Sequence, residues 1–251
     1  MTKPNHATLP QALEAEKGIV CAVGAGGKKT TLYQLFQAHG GRIALTATAF
    51  TTDFPSELGA EVVIAAGTEL SERVPFLPAR RVAYAQPSDK PGRVAGVEPE
   101  RVTAIHASGG FDLTLVKADG ARMRRIKCPA EHEPNLPPQT TTVLLVLSAL
   151  ALGKPLNDKV AHRPERIATL TGRQLDEPIQ PEDLAALFSR PDGLLKGTED
   201  CRVIPILNMV DTPELERAGR EVARLALAAC PRFDRFVLTS NRREGYLVAV
   251  L

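Results

Sequence analysis

Gly24-Ala-Gly-Gly-Lys-Lys-Thr-Thr31 is the segment whose residue types and order do the most recognisable chemistry. Glycines let backbone N–H groups close around oxygens, and a helix beginning just after them adds the positive end of its dipole. A lysine then reaches terminal phosphates and a hydroxyl next to it serves Mg²⁺. The usual pattern is G-x-x-x-x-G-K-[ST]. Here the interval from Gly24 to Lys29 is one residue short, and Lys28 stands where the second glycine belongs. Lys29 is taken as the phosphate lysine because Thr30 follows it. Lys28 is then either a second phosphate ligand or a solvated cation. The nucleotide-binding set read from spacing is Gly24, Gly26, Gly27, Lys28, Lys29, Thr30 and Thr31.

A phosphate loop needs a carboxylate at the end of a neighbouring strand. Leu113-Thr-Leu-Val-Lys-Ala118 followed by Asp119-Gly120 has that form, so Asp119 is expected to organise Mg²⁺ together with Thr30. Thr48, closing another strand, is placed as a third metal-side ligand. Asn208-Met-Val-Asp211 follows an apolar run and partly matches N-K-x-D, the guanine-reading element. Asn208 and Asp211 are therefore assigned to base binding, with ATP or GTP left open because Met209 replaces the lysine. A turn with Asp211 before a helix start accounts equally well for that segment.

These residues need strands and helices to carry them. Gly18–Val23 is a near-continuous apolar run leading into the glycines, and Leu32, Leu35 and Phe36 recur at helical spacing after them. Further strands are expected at 42–48, 62–65, 82–85, 113–118, 142–147, 203–207 and 236–239, with an edge strand over 245–251. Helices are expected over 98–106, 164–170, 181–189 and 213–229, the last three opened by Pro164, Pro181 and Pro213. Short apolar strands alternating with helices predict an α/β fold: a mostly parallel sheet of six to eight strands with helices on both faces, like that of P-loop NTPases. The expected organisation is one nucleotide-binding domain over 15–251, preceded by an extension at 1–14.

Composition narrows the classes. Lys+Arg 31 against Asp+Glu 29 leaves a net charge of +2, which argues against a nucleic-acid binder. Cys21, Cys128, Cys201 and Cys230 form no C-x-x-C pair, pointing to free thiols in a reducing compartment. The first residues carry no secretory apolar core, and Val143–Leu152 is too short to span a bilayer. A cytoplasmic protein with no membrane partner is the expectation.

Ala118-Asp-Gly-Ala-Arg-Met-Arg-Arg-Ile-Lys-Cys-Pro-Ala-Glu-His-Glu-Pro134 resembles the ADGA…K-x-P-A-E-H-E-P signature of YqeC-type accessory proteins of selenium-dependent molybdenum hydroxylases. The Gly24–Thr31 loop, Leu152-Gly-Lys-Pro155, His162-Arg-Pro-Glu165 and Leu207–Asp211 agree with it. The resemblance implies a nucleotide-binding protein in hydroxylase maturation, with the client enzyme or its cofactor as partner. Lys117 departs from the family's usual Glu, and Met209 from its Lys. Within the signature, Glu131, His132 and Glu133 offer a metal site, a general base or a cargo ligand, with Cys128 close by; a structural loop is the alternative. Arg163 is assigned to transition-state charge, or else to a surface pair at a helix start. Arg122, Arg124, Arg125 and Lys127 form either a solvated face or an anion-binding run. Three activities fit: NTP binding and hydrolysis, a non-hydrolysing cofactor chaperone or insertion factor, and a small-molecule phosphoryl or selenium transferase.

Overall fold

The structure, a computed structural model, describes residues 7–251. Nine strands form its main sheet: β1 (Gly18–Gly24), β2 (Ile43–Ala47), β3 (Glu61–Ile64), β4 (Arg81–Ala85), β5 (Leu113–Lys117), β6 (Thr140–Ser148), β7 (Arg202–Asn208), β8 (Val237–Thr239) and β9 (Leu247–Val250). Their order is β9-β8-β7-β6-β1-β5-β2-β4-β3, and only β9 runs antiparallel to its neighbour. The expected six to eight strands thus become nine, because β9 and the short β3 both complete the sheet.

Parallel strands covered on both faces should be apolar at every position. Along β1, Ile19, Cys21 and Val23 face one buried cluster, whereas Val20 and Ala22 face the other. The same alternation runs along β6, with Val143, Leu145 and Leu147 against Leu144 and Val146. Helix α1 (Leu9–Ala12) and helix α2 (Lys28–Ala38) cover one face. The other face is covered by α3 (Gly67–Arg73), α4 (Pro99–Ser108), α5 (Pro164–Thr171), α6 (Pro181–Ser189) and α7 (Pro213–Ala229). The proline-opened helices begin where the prolines place them, since a proline at the first helical position gives up only an N–H that has no partner there. No described helix is long and apolar enough to cross a membrane.

Strand order reverses around β1. The chain passes from β1 toward β2, β3 and β4 on one side, returns to insert β5, then continues through β6 to β9 on the other. In open α/β sheets such a reversal leaves a crevice at the carboxyl ends of the strands. Gly24, Asp119, Ser148 and Asn208 all lie at those ends.

The segment expected as an extension at 1–14 is, in its described part, built into the fold. Leu9, Ala12 and Leu13 are buried, and Leu9 and Leu13 join Leu32, Leu35 and Phe36 in one apolar cluster. Residues 1–6 lie outside the described residues. Leu13→Ala removes a fully buried side chain and is expected to destabilise the protein by about 2–5 kcal/mol. Equilibrium denaturation measures this; a change within the few tenths typical of a surface substitution would show that the segment is peripheral after all.

Candidate functional site

The loop after β1 owes its shape to its glycines. Gly24, Gly26 and Gly27 have φ of 97°, 80° and 134°. A side chain at Gly26 would collide with Ser148 and the Arg125 carbonyl, and one at Gly27 with the Asn208 amide. Gly24 N–H donates to Asp119 Oδ2 at 2.8 Å and Ala25 N–H to the Val146 carbonyl at 2.8 Å. The next backbone N–H groups, those of Gly26, Gly27, Lys28, Lys29 and Thr30, have no acceptor among the described residues. They crown the first turn of α2, which starts at Lys28. Consecutive free donors on a helix start are an anion cradle by their chemistry.

Asp119, two residues beyond β5, is buried beside this loop. Lys28 Nζ lies 2.6 Å from its Oδ1 and Lys127 Nζ 2.9 Å from its Oδ2. The Lys28 ammonium also donates to the Gly24 carbonyl, so it folds back over the loop. Oδ1 is met by this ammonium as a charge contact and by no other donor among the described residues. Fully buried Lys127 further donates to the Gly120 carbonyl at 2.7 Å and to Glu133 Oε2 at 2.9 Å. Glu133 Oε2 accepts the Ala130 N–H at 3.0 Å and Arg163 Nη1 at 2.8 Å. The result is a row of alternating charge: Lys28, Asp119, Lys127, Glu133, Arg163. Burial pushes the Glu133 carboxyl up, but the Ala130 N–H and the flanking Lys127 and Arg163 outweigh it and bring it down to about 2.

On the far side, Asn208 supports the loop from the end of β7. Its amide donates to the Gly26 carbonyl at 3.0 Å, and its Oδ1 accepts Thr239 Oγ1 at 2.9 Å and the Tyr246 hydroxyl at 3.1 Å. The Tyr246 hydroxyl also meets Thr31 Oγ1 at 3.0 Å, while Thr31 Oγ1 donates to the Gly27 carbonyl at 3.2 Å.

A family model described as "YqeC protein" matches residues 20–165, more than half of the 251-residue chain. The chain belongs to the YqeC family. It is also 29% identical over 213 residues to a protein named "Uncharacterized protein YqeC" of Escherichia coli (strain K12), a match covering 82% of this chain and 81% of that one. The family match spans the glycine loop, Asp119, the 118–134 segment and Arg163.

In this YqeC chain the residues expected to act together separate into two groups. Lys28, not Lys29, lies over the glycine loop; Lys29 Nζ reaches Thr52 Oγ1 at 2.6 Å instead. Thr30 stands at the start of α2 with no hydrogen-bond partner for its hydroxyl among the described residues, beside the loop. Thr31 is tied into the Tyr246 network, and Thr48 donates to the Asn135 carbonyl at 2.7 Å. Glu131 and Glu133 do not converge: Glu133 is buried, whereas Glu131 and His132 are exposed, Glu131 pairing with Arg166 at 3.2 Å. Cys128 turns its thiol to the Asp192 carbonyl. Among the described residues no group of three or more His, Cys, Asp or Glu is placed to hold a metal. Asp211 accepts from Ser240 Oγ at 2.6 Å and stands near Arg242, away from the Asn208 amide's own contacts. Of the basic run, Lys127 is inside while Arg122 is exposed. Ser148 and Tyr246 went unassigned by sequence reasoning, and Lys127 was read only as one cation of the basic run, not as the buried partner of Asp119 and Glu133.

Glu133 is held below its ordinary carboxyl range in the fold, so its contribution is present above about pH 4.5 and disappears as pH falls through about 2. Glu133→Gln is expected to flatten that part of the acid-denaturation profile. An unchanged slope between pH 4.5 and 2 would show that the Lys127–Glu133–Arg163 contacts do not govern this range.

Proposed function

We propose that this YqeC-family protein is an accessory protein that binds a nucleoside triphosphate, ATP or GTP, on the Gly24–Thr30 loop. The observation that carries this reading is the set of five backbone N–H groups, Gly26 to Thr30, without protein acceptors beside the buried Lys28. Lys28 would bear on the phosphates, taking the role that spacing gives to Lys29. For Mg²⁺ the residues present fit: the Thr30 hydroxyl has no other partner, and Asp119 Oδ1 is a buried acceptor lacking a hydrogen bond. One carboxylate and one hydroxyl are enough, because Mg²⁺ completes its shell with phosphate oxygens and waters. When bound, the ion would neutralise charge on the phosphates, with Thr30 and Asp119 as its protein ligands. The protein's own part is to orient the phosphates with loop amides and to release Lys28 from Asp119 toward them.

The resemblance over 118–134 supports placing the protein in maturation of selenium-dependent molybdenum hydroxylases, with such an enzyme or its cofactor as client. Lys127 and Glu133 of that segment touch Asp119 or one another, which gives the segment a physical route to sense what the loop holds. A second reading, binding without hydrolysis, is favoured by the engagement of both carboxylates. Asp119 and Glu133 are each spent on cations, leaving neither as a ready base for water.

Mg·ATP or Mg·GTP at about a hundred times its Kd should add about 2.7 kcal/mol of stability, a rise of about 5–10 °C in Tm for a chain this size. Lys28→Ala is expected to remove the rise. No shift with any nucleotide would refute the reading, and loss of the shift only in Lys29→Ala would return the phosphate role to Lys29. Phosphate release by the wild type separates hydrolysis from binding alone.

A further inference from the structure

Two lysines at the mouth of the loop have no carboxylate partner among the described residues. Lys29 Nζ donates to Thr52 Oγ1 at 2.6 Å, and Lys117 Nζ to the Phe50 carbonyl at 2.8 Å. Both acceptors are neutral, and both belong to one short strap whose Thr51–Thr52 pairs antiparallel with Arg93–Val94. Phe50 and Thr52 are two residues apart, about 7 Å in an extended chain, so both ammonium groups are tied to the same three-residue strap. Lys117 ends β5 opposite Ala22 of β1 on one side and Ala47 of β2 on the other, which sets it at the sheet's carboxyl edge next to the glycine loop.

The charge around these two groups is one-sided. Lys28 and Lys127 stand near Lys117 and Lys29 as further cations, and Arg93 lies across the strap from Thr52. Asp119 pairs with Lys28 and Lys127 and with neither Lys29 nor Lys117. Like charges gathered in a partly desolvated place are unfavourable until an anion joins them. Ordinary surface lysines would extend into water; Lys117 is instead half-buried and pinned by a carbonyl.

We propose that Lys29, Lys117 and the Thr52 hydroxyl form a second oxyanion subsite beside the glycine loop, for a phosphate-like dianion. That dianion is either the terminal phosphate of the bound nucleotide or a group on a separate anionic co-substrate. The choice between these sources rests on the nucleotide reading above; the subsite itself does not.

Titration calorimetry on the full chain tests it, using wild type, Lys29→Gln and Lys117→Gln. Glutamine keeps a donor for Thr52 or Phe50, and a melting curve for each variant confirms folding. The ligands are ADP, ATP, and orthophosphate added over saturating ADP. If the subsite takes the terminal phosphate, ATP affinity falls in both variants by about tenfold to a hundredfold more than ADP affinity, the range of one charge-assisted hydrogen bond. If it takes a co-substrate, orthophosphate over ADP weakens by that factor while ATP and ADP change in parallel. Equal responses of wild type and both variants to ATP and orthophosphate overturn the subsite. Should the wild type bind no nucleotide, the nucleotide reading fails by itself, and orthophosphate titrated alone decides: binding lost in Lys117→Gln supports the subsite, whereas absent or unaltered binding overturns it.

Discussion

A buried carboxylate shared by a loop amide and two ammonium groups organises this molecule. Asp119 takes the Gly24 N–H and Lys127 on one oxygen and lies against Lys28 with the other. Withdrawing one partner from such a buried set generally costs about 3–5 kcal/mol, because the remaining charges cannot return to water. The contact holds only if β5 lies directly beside β1. The strand order, in which β5 returns to insert between β1 and β2, meets that condition. Through Lys127 the same carboxylate reaches Glu133 and Arg163, so the loop after β1 and the start of α5 share one electrostatic unit.

Two short pairs of strands outside the main sheet frame the carboxyl ends. Ile126–Lys127 pairs with Ala161–His162, and Thr51–Thr52 with Arg93–Val94. The first anchors the signature segment: Arg125 N–H donates to the Val160 carbonyl, and the Arg125 carbonyl accepts from Ser148 at the end of β6. The second carries the strap gripped by Lys29 and Lys117. Each loop near the glycines is thus fixed by backbone pairing on one side and by an ammonium group on the other.

The sequence made much of this legible, for physical reasons that differ by element. Strands buried on both faces must be apolar throughout, so β1, β5, β6 and β7 announce themselves as runs. Proline at a helix start marked α5, α6 and α7. Helix α3, Gly-Thr-Glu-Leu-Ser-Glu-Arg, buries only Gly67 and Leu70 and so carries no periodicity to read. Asp119 was readable because a strand end beside a glycine loop is a place, not merely a residue type. The choice between Lys28 and Lys29 was not, since it depends on the residue at which α2 begins and hence on side-chain direction. Grouping Glu131, His132 and Glu133 as one site treated three consecutive residues as equally placed. The Glu133 N–H instead turns back to the Ala130 carbonyl, sending Glu133 inward and leaving Glu131 outside.

Tyr246 lies 215 residues downstream of Thr31, yet its hydroxyl closes the network beneath the glycine turn. During synthesis, then, the glycine turn emerges long before the phenol that braces it. That brace forms only once the polypeptide has been made past its eighth strand.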